Sequence, residues 1–247
     1  MEKKIKKVVA FDFDDTLAVT NSHVGIRSNL LENAFTIASR LGLDIASRDE
    51  DWIWVNSTNY ETFLSFSSVS ISDFEYDYSE TMAVDLDSVS PIPSMIIQLK
   101  EYLADPDCLV IILTARAGYT DVWSPVNKCV IPSTNREGIA SFLNSQGIII
   151  PDHHIHTVGD VAAEGGLTSV AKANVLSHYA IAYQPEEIIF YDDSERNIAR
   201  ASKIHLREGV NSRITLNYVK DGHVARSVQS NKGLKQWLYR IFKTMLE

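Results

Sequence analysis

The sequence FDFDDTL at residues 11–17 places acidic side chains directly after a short apolar run. On an extended chain, residues i and i+2 point to the same side, about 6.5–7 Å apart, so Asp12 and Asp14 are predicted to face one space. Two carboxylates so placed repel each other and any phosphate unless a hard divalent cation lies between them. The alternative is a turn rich in aspartate, because this residue type is common in turns.

A second acidic pair, Asp192 and Asp193, follows another apolar run at residues 188–191. Asp193 or Ser194 is also suited to cap the helix expected at residues 195–201, and both roles stay open. The repeated arrangement of an apolar run followed by aspartates predicts that these carboxylates share an edge of one sheet with Asp12.

Two non-acidic residues have properties suited to phosphate binding. Thr114 ends the apolar run at residues 109–113 and offers a hydroxyl and a nearby backbone N–H, although threonine at a strand end is common. Lys172 lies early in an amphipathic stretch that begins at Thr168, where its charge opposes the helix dipole and favours an anionic partner. A solvated surface lysine is the alternative.

Distant segments must converge if these residues are to act together. Continuous apolar runs, as expected for strands covered on both faces, lie at residues 8–11, 109–113, 155–158 and 188–191. Amphipathic stretches that predict helices lie at residues 24–41, 92–103, 136–146 and 168–179. Strands alternating with helices indicate an α/β fold with a doubly wound parallel sheet, whose ligands bind beyond the carboxyl ends of the strands.

Two regions fall outside this alternation. The core is predicted at residues 1–45 and 91–210, with an inserted cap at residues 46–90. The insertion is rich in aromatic residues, including Trp52, Trp54 and Tyr60, whose rings could stack on a base or fill the insertion's own core. Residues 211–247 are predicted to form a hairpin and a final helix, at residues 233–246, packed on the core.

Composition excludes several classes of protein. With 45% hydrophobic residues, the chain can bury a full core. The formal net charge of −9 opposes binding along a nucleic-acid backbone, but not a small site for one terminal phosphate. Two cysteines give neither a disulfide framework nor a thiolate metal site. No apolar run approaches membrane-spanning length, so we expect a soluble, cytoplasmic protein without a membrane partner.

Four motifs follow one another along the chain: the sequence DFDDTL that begins at Asp12, an apolar run that ends at Thr114, Lys172 in a predicted helix, and an apolar run followed by Asp192 and Asp193. In this order they resemble the motifs of the haloacid dehalogenase-like (HAD) superfamily of phosphohydrolases. They span Asp12 to Asp193, which is most of the chain. More loosely, the segments FDFDDTLA, ILTAR, AKAN and FYDDS resemble phage-encoded members of this superfamily. The resemblance implies a Rossmann-like core and phosphoryl-transfer chemistry.

The resemblance also implies a role for each acidic residue. Asp12 would be the nucleophile and Asp14 the general acid/base, while the Asp12 carboxylate, the Asp14 backbone carbonyl and Asp192 would hold Mg²⁺ with support from Asp193. Four ionised carboxylates exceed the combined positive charge of Mg²⁺ and Lys172, so one must hold a proton when a phosphate dianion binds. Crowding raises the pKa of one member of such a group, and the resemblance implies that Asp14 is the member that holds the proton.

In the same resemblance, Thr114 and Lys172 bind the phosphate. The predicted function is a Mg²⁺-dependent phosphomonoester hydrolase that forms an aspartyl-phosphate, acting on a nucleotide or a small phosphorylated metabolite. Removal of a terminal phosphate from a nucleic acid is the alternative chemistry, and a non-catalytic binding protein on the same fold is the alternative class. Arg116, two residues after Thr114, is expected either to meet a second phosphate or nucleotide or to pair with a surface acid.

Overall fold

The computed structural model of the protein describes residues 4–29, 34–49, 51–56, 60, 63, 73–163, 166–204 and 210–229. The contacts divide the chain into two compact units. The first comprises Met1–Val19, Ser90–Ala115 and Ile139–Glu247, and the second comprises Thr20–Val89 and Arg116–Gly138. The second unit contains nearly all of the expected 46–90 insertion, but it begins earlier and includes a further segment after residue 115.

The described strands and helices follow one another along the chain in a mixed α/β order. The strands are β1 (Lys7–Phe11), β2 (Ala18–Val19), β3 (His23–Ser28), β4 (Ile45–Asp49), β5 (Trp52–Asn56), β6 (Phe74–Asp77), β7 (Ser90–Pro91), β8 (Cys108–Thr114), β9 (Val122–Ser124), β10 (Cys129–Ile131), β11 (Ile155–Thr157), β12 (Glu187–Asp192), β13 (Arg213–Lys220) and β14 (His223–Gln229). The helices are α1 (Ala34–Arg40), α2 (Pro93–Ala104), α3 (Asn135–Ser145), α4 (Asp160–Ala163), α5 (Thr168–Tyr183) and α6 (Glu195–Ala201).

The first unit contains a six-stranded sheet with the order β11-β8-β1-β12-β13-β14. The pairings are parallel from β11 to β13, and only the edge strand β14 pairs antiparallel. The four apolar runs are therefore confirmed as strands β1, β8, β11 and β12. The predicted hairpin is also confirmed: its turn contains Asp221 and Gly222, both with positive φ, as a tight two-residue turn requires.

Helices α5 and α6 cover one face of this sheet. Alternate strand residues, including Val8, Ala10, Ile188 and Phe190, are buried with side chains of these helices. Side chains of a strand alternate between the two faces of the sheet. Asp12 comes two residues after Ala10, and Asp192 comes two residues after Phe190, so both are directed toward the same helices. The core packing thus determines which way the acidic residues at the strand ends point.

The second unit contains an antiparallel sheet with the order β4-β5-β3-β6. The prediction of one helix across residues 24–41 was wrong for its first part, where β3 pairs with β5 on one side and β6 on the other. Val24 and Ile26 are buried at a two-residue period, as a paired strand requires, and the described helix α1 comprises Ala34–Arg40. Pairing with distant strands outweighs the local helical pattern.

Aromatic residues of the expected insertion fill the core of the second unit. Trp52, Phe63 and Phe74 are almost fully buried, and the hydroxyl groups of Tyr60 and Tyr78 are hydrogen-bonded to each other. For these rings, the contacts agree with the second alternative drawn from the sequence, in which they fill the insertion's own core.

Two hydrogen bonds to the buried carboxylate of Asp77 connect residues 116–138 to the rest of the second unit. Asp77, fully buried at the end of β6, accepts hydrogen bonds from the Ser124 hydroxyl and the Val126 amide. These bonds tie the hairpin of β9 and β10 to the sheet, a long-range connection that the local sequence does not indicate.

The final helix predicted at residues 233–246 lies outside the described residues. Among the residues that are described, no helix combines the length and the apolar character needed to cross a membrane.

Candidate active site

Asp12 and Asp192 lie side by side at the carboxyl ends of two neighbouring parallel strands. The register pairs Phe11 of β1 with Tyr191 of β12, and the Asp12 amide continues this ladder by donating to the Tyr191 carbonyl at 2.9 Å. Both side chains are buried, Asp192 completely. The sheet edge predicted from the apolar runs therefore brings together two residues that are 180 positions apart in the sequence.

Lys172 of α5 joins these two carboxylates. Its ammonium nitrogen Nζ lies 2.8 Å from Asp12 Oδ1 and 2.8 Å from Asp192 Oδ2. The side chain is only 1% exposed, so the alternative of a solvated surface lysine does not apply. A cation at this depth requires anionic partners, because an unpaired buried charge is strongly unfavourable.

Asp193 completes a group of three acidic residues. One carboxylate oxygen from each of Asp12, Asp192 and Asp193 lies within 4.8 Å of the others. When all three are ionised, they exceed the single charge of Lys172 by two, which a divalent cation would neutralise. Carboxylate oxygens are the ligands that hard cations such as Mg²⁺ take, so the residues fit such an ion.

Burial governs the protonation of this group. It raises the pKa of Asp12 to about 8, and the nearby charges of Asp192 and Asp14 act in the same direction, whereas Lys172 opposes them. Burial also raises the pKa of Asp193 to about 9, again with repulsion from Asp12 and Asp192. For Lys172, burial alone would lower the pKa, but the two ion pairs raise it above its ordinary value. The raised pKa values of Asp12 and Asp193 therefore favour their protonated forms near neutral pH unless another cation binds beside them.

Asn197 of α6 holds the Asp192 carboxylate, a role that the sequence reasoning missed. Its Nδ2 donates to Asp192 Oδ1 at 3.0 Å and to Oδ2 at 3.1 Å. The Ser194 amide donates to Oδ1 at 2.8 Å, and the Ser194 hydroxyl caps α6, as expected. The available signal was the position of Asn197 in the first turn of the helix that follows Asp192.

Asp14 lies beyond the end of β1, where the chain turns sharply. Asp15 has a positive φ of 53°, and the Leu17 and Ala18 amides both donate to the Phe13 carbonyl. The Thr114 hydroxyl donates to Asp14 Oδ2 at 3.3 Å, which places the expected phosphate-binding hydroxyl next to the expected acid/base. The Asp14 side chain is only partly buried, unlike that of Asp12, and so it retains access to solvent.

Arg116 lies in the second unit and is 6% exposed. Its guanidinium group donates to the Thr81 and Ala83 carbonyls, to Asn135 Oδ1 and to the Ser22 hydroxyl. These hydrogen bonds give Arg116 a part in holding the second unit together, and its expected contact with a phosphate, a nucleotide or a surface acid stays a prediction.

Comparison with protein-family models, with curated proteins and with solved structures finds no match to this chain. Function is therefore inferred from the residues of the site and from their geometry.

Proposed function

We propose that the protein is a Mg²⁺-dependent phosphomonoester hydrolase of the HAD type, with Asp12 as the nucleophile. The observation that supports this most strongly is the buried Lys172 ammonium held at 2.8 Å from both Asp12 and Asp192. One carboxylate would react with phosphorus and the other would hold the metal. Lys172 would fix both side chains and offset part of the charge of an incoming phosphate.

Asp12 would attack the phosphorus atom through a carboxylate oxygen. The new O–P bond forms as the bond from phosphorus to the leaving oxygen breaks, which leaves the phosphoryl group on Asp12. Ionisation of Asp12 is needed for this step, and the ion pair with Lys172 favours the ionised form. Water then attacks the same phosphorus atom, releases inorganic phosphate and restores the Asp12 carboxylate.

Asp14 would move the protons in both steps. It would donate a proton to the leaving oxygen and then accept one from the attacking water, as a general acid/base near the reacting group does. Its hydrogen bond from Thr114 supports the orientation of the carboxyl group. The Thr114 hydroxyl and Lys172 would contact the phosphoryl oxygens.

The Asp12 and Asp192 carboxylates, with support from Asp193, would hold Mg²⁺, and the Asp14 backbone carbonyl is assigned as a further ligand. When bound, the ion would stabilise the negative charge on the transferred phosphoryl group. We propose a phosphorylated small molecule or nucleotide as the substrate, because the net charge of −9 disfavours a polyanionic chain.

Turnover of a generic aryl phosphate, with Mg²⁺ and with a chelator, tests the proposal. We expect hydrolysis only with the metal, and we expect the phosphorylated protein to be cleaved by hydroxylamine, as an acyl phosphate is. Lack of turnover across a panel of aryl phosphates, nucleotides, sugar phosphates and phosphate-ended oligonucleotides would overturn the proposal in favour of a binding protein. The relative rates across the panel would also identify the class of leaving group.

A further inference from the structure

We propose that the N-terminus of α5 and the Ser169 hydroxyl bind an oxygen of the phosphoryl group, as a phosphate-binding element additional to Thr114 and Lys172. The inference rests on the proposed function, since it concerns the same phosphoryl group. It comes from Ser169 itself, which no motif of the sequence singles out.

Ser169 is 2% exposed, and its hydroxyl has no hydrogen-bond partner among the described residues. Buried hydroxyl groups in folded proteins are normally hydrogen-bonded, because leaving one unsatisfied is costly. Alanine would fill almost the same space at this helical position without that cost. A ligand that accepts the hydrogen bond gives a physical reason for a serine here.

The helix end that carries Ser169 is suited to an anion. Helix α5 has 16 residues, and its N-cap is Leu167, whose side chain has no group that could cap the amides. Thr168, the next residue, is already the first helical residue, so its side chain is not at the N-cap. The first amides of a helix point away from its body and, together with the helix dipole, attract negative charge.

The position of Ser169 relative to Lys172 directs both groups to the same place. Residues three apart lie on one face of a helix, and Ser169 is one turn closer to the N-terminus than Lys172. The Lys172 ammonium contacts Asp12 and Asp192, so this face of α5 is turned toward the carboxyl edge of the sheet. Along the chain, α4 and then α5 follow β11, which is paired with β8, the strand that ends at Thr114.

Under this inference, the start of α5 would lie near Thr114, which ends the strand next to β1, while Lys172 reaches toward Asp12. A phosphoryl group in reach of Asp12, Thr114 and Lys172 is the anion that this arrangement would serve. Ser169 would donate its hydroxyl proton in a hydrogen bond to a phosphoryl oxygen. No bond to phosphorus is made or broken by it, so it is a binding residue only.

Inorganic phosphate is the probe for the test, with binding measured calorimetrically in the presence of Mg²⁺. The Ser169→Ala variant should bind phosphate about tenfold more weakly, since a hydrogen bond to a charged group is worth about 1.4 kcal/mol or more. Its melting temperature without ligand should be unchanged or a few degrees higher, because the variant removes an unsatisfied buried hydroxyl. If Ser169 served only to stabilise the fold, the variant would not lose phosphate affinity while keeping its melting temperature.

Ser202→Ala is the matched control. Ser202 is also a buried serine at the end of a helix, but its hydroxyl donates to the Ala199 carbonyl at 2.8 Å. This variant should lose some stability and keep the phosphate affinity of the wild type.

The outcomes separate this inference from the proposed function. Wild-type affinity for phosphate in Ser169→Ala, or an equal loss of affinity in Ser202→Ala, would overturn the inference even if the enzyme is active. If wild-type protein binds phosphate in a Ser169-dependent manner but hydrolyses no phosphomonoester, the inference holds and the proposed hydrolase function fails.

Discussion

Replacing Lys172 by methionine removes the ammonium group that joins Asp12 and Asp192 while keeping an unbranched side chain of similar length. The two carboxylates are 5% and 0% exposed, so solvent cannot compensate for the lost cation. Removing one partner of a buried ion pair typically costs about 3–5 kcal/mol. For a chain of this size, each kcal/mol lowers the melting temperature by about 2–4 °C, which predicts a total loss of about 6–20 °C in the presence of a chelator.

The loss should depend on pH, and its sign follows from the carboxylates. In the folded wild type, burial raises the pKa of Asp12 to about 8 and that of Asp193 to about 9. Groups whose folded pKa is raised stabilise the fold when protonated, and this contribution is lost as pH rises from their unfolded values near 4 through those folded values. The metal-free wild type should therefore become less stable between about pH 5.5 and about pH 9.

Without Lys172, the main interaction that favours the ionised form of Asp12 disappears, so protonation should relieve the variant more than the wild type. The difference in melting temperature between the two proteins should be larger near pH 8.5 than near pH 5.5. Thermal unfolding followed by circular dichroism in chelator measures both differences. Lys100→Met is the control, because Lys100 lies exposed on α2 and its replacement should have little effect at either pH. Equal losses in the two variants, or a loss independent of pH, would refute the electrostatic role of Lys172.

Four further predictions concern single side chains. Asp12→Asn should abolish turnover of an aryl phosphate in a steady-state assay while the variant still folds, because the amide cannot serve as the nucleophile but Asp192 still pairs with Lys172. Asp192→Ala should remove most of the rise in melting temperature that Mg²⁺ produces by mass action, together with activity. Asn197→Ala should weaken Mg²⁺ binding about 10–100-fold in a calorimetric titration, because Asp192 loses the amide that orients it. Trp52→Ala should destabilise the fold by about 3–5 kcal/mol in chemical denaturation, since Trp52 is 8% exposed.

The position of the acidic residues could be predicted from sequence because it depends on simple geometry. Continuous apolar runs indicate buried parallel strands, and parallel strands end at one edge of their sheet. Asp12 and Asp192 directly follow such runs in the sequence. Lys172 could be predicted to lie near them because its helix comes between β11 and β12 along the chain. Three of the expected site residues are therefore in direct contact, although they come from three separate segments.

Other features depend on long-range contacts that a local pattern does not encode. The run that includes Val24 and Ile26 fits a helix by its periodicity, yet pairing on both sides makes it a strand. Nothing near Asn197 in the sequence shows that its amide faces Asp192 rather than solvent. The guanidinium group of Arg116 donates to Ser22, Ala83 and Asn135, which are distant in the sequence and are brought together only by the fold.

Under the proposed function, the charge of the site would set the order in which its ligands bind. With all three carboxylates ionised, Asp12, Asp192 and Asp193 outweigh Lys172, so a phosphate dianion would meet a net negative site. A divalent cation bound first would remove this repulsion, because it would balance the two excess charges, and Asp14 would add one more negative charge unless it held a proton. The anion would then gain from the Ser169 hydroxyl and the helix dipole, which are present in the fold whether or not the cation is bound. Under the proposed function, the cation therefore prepares the site, and the N-terminus of α5 contributes only when the phosphate follows.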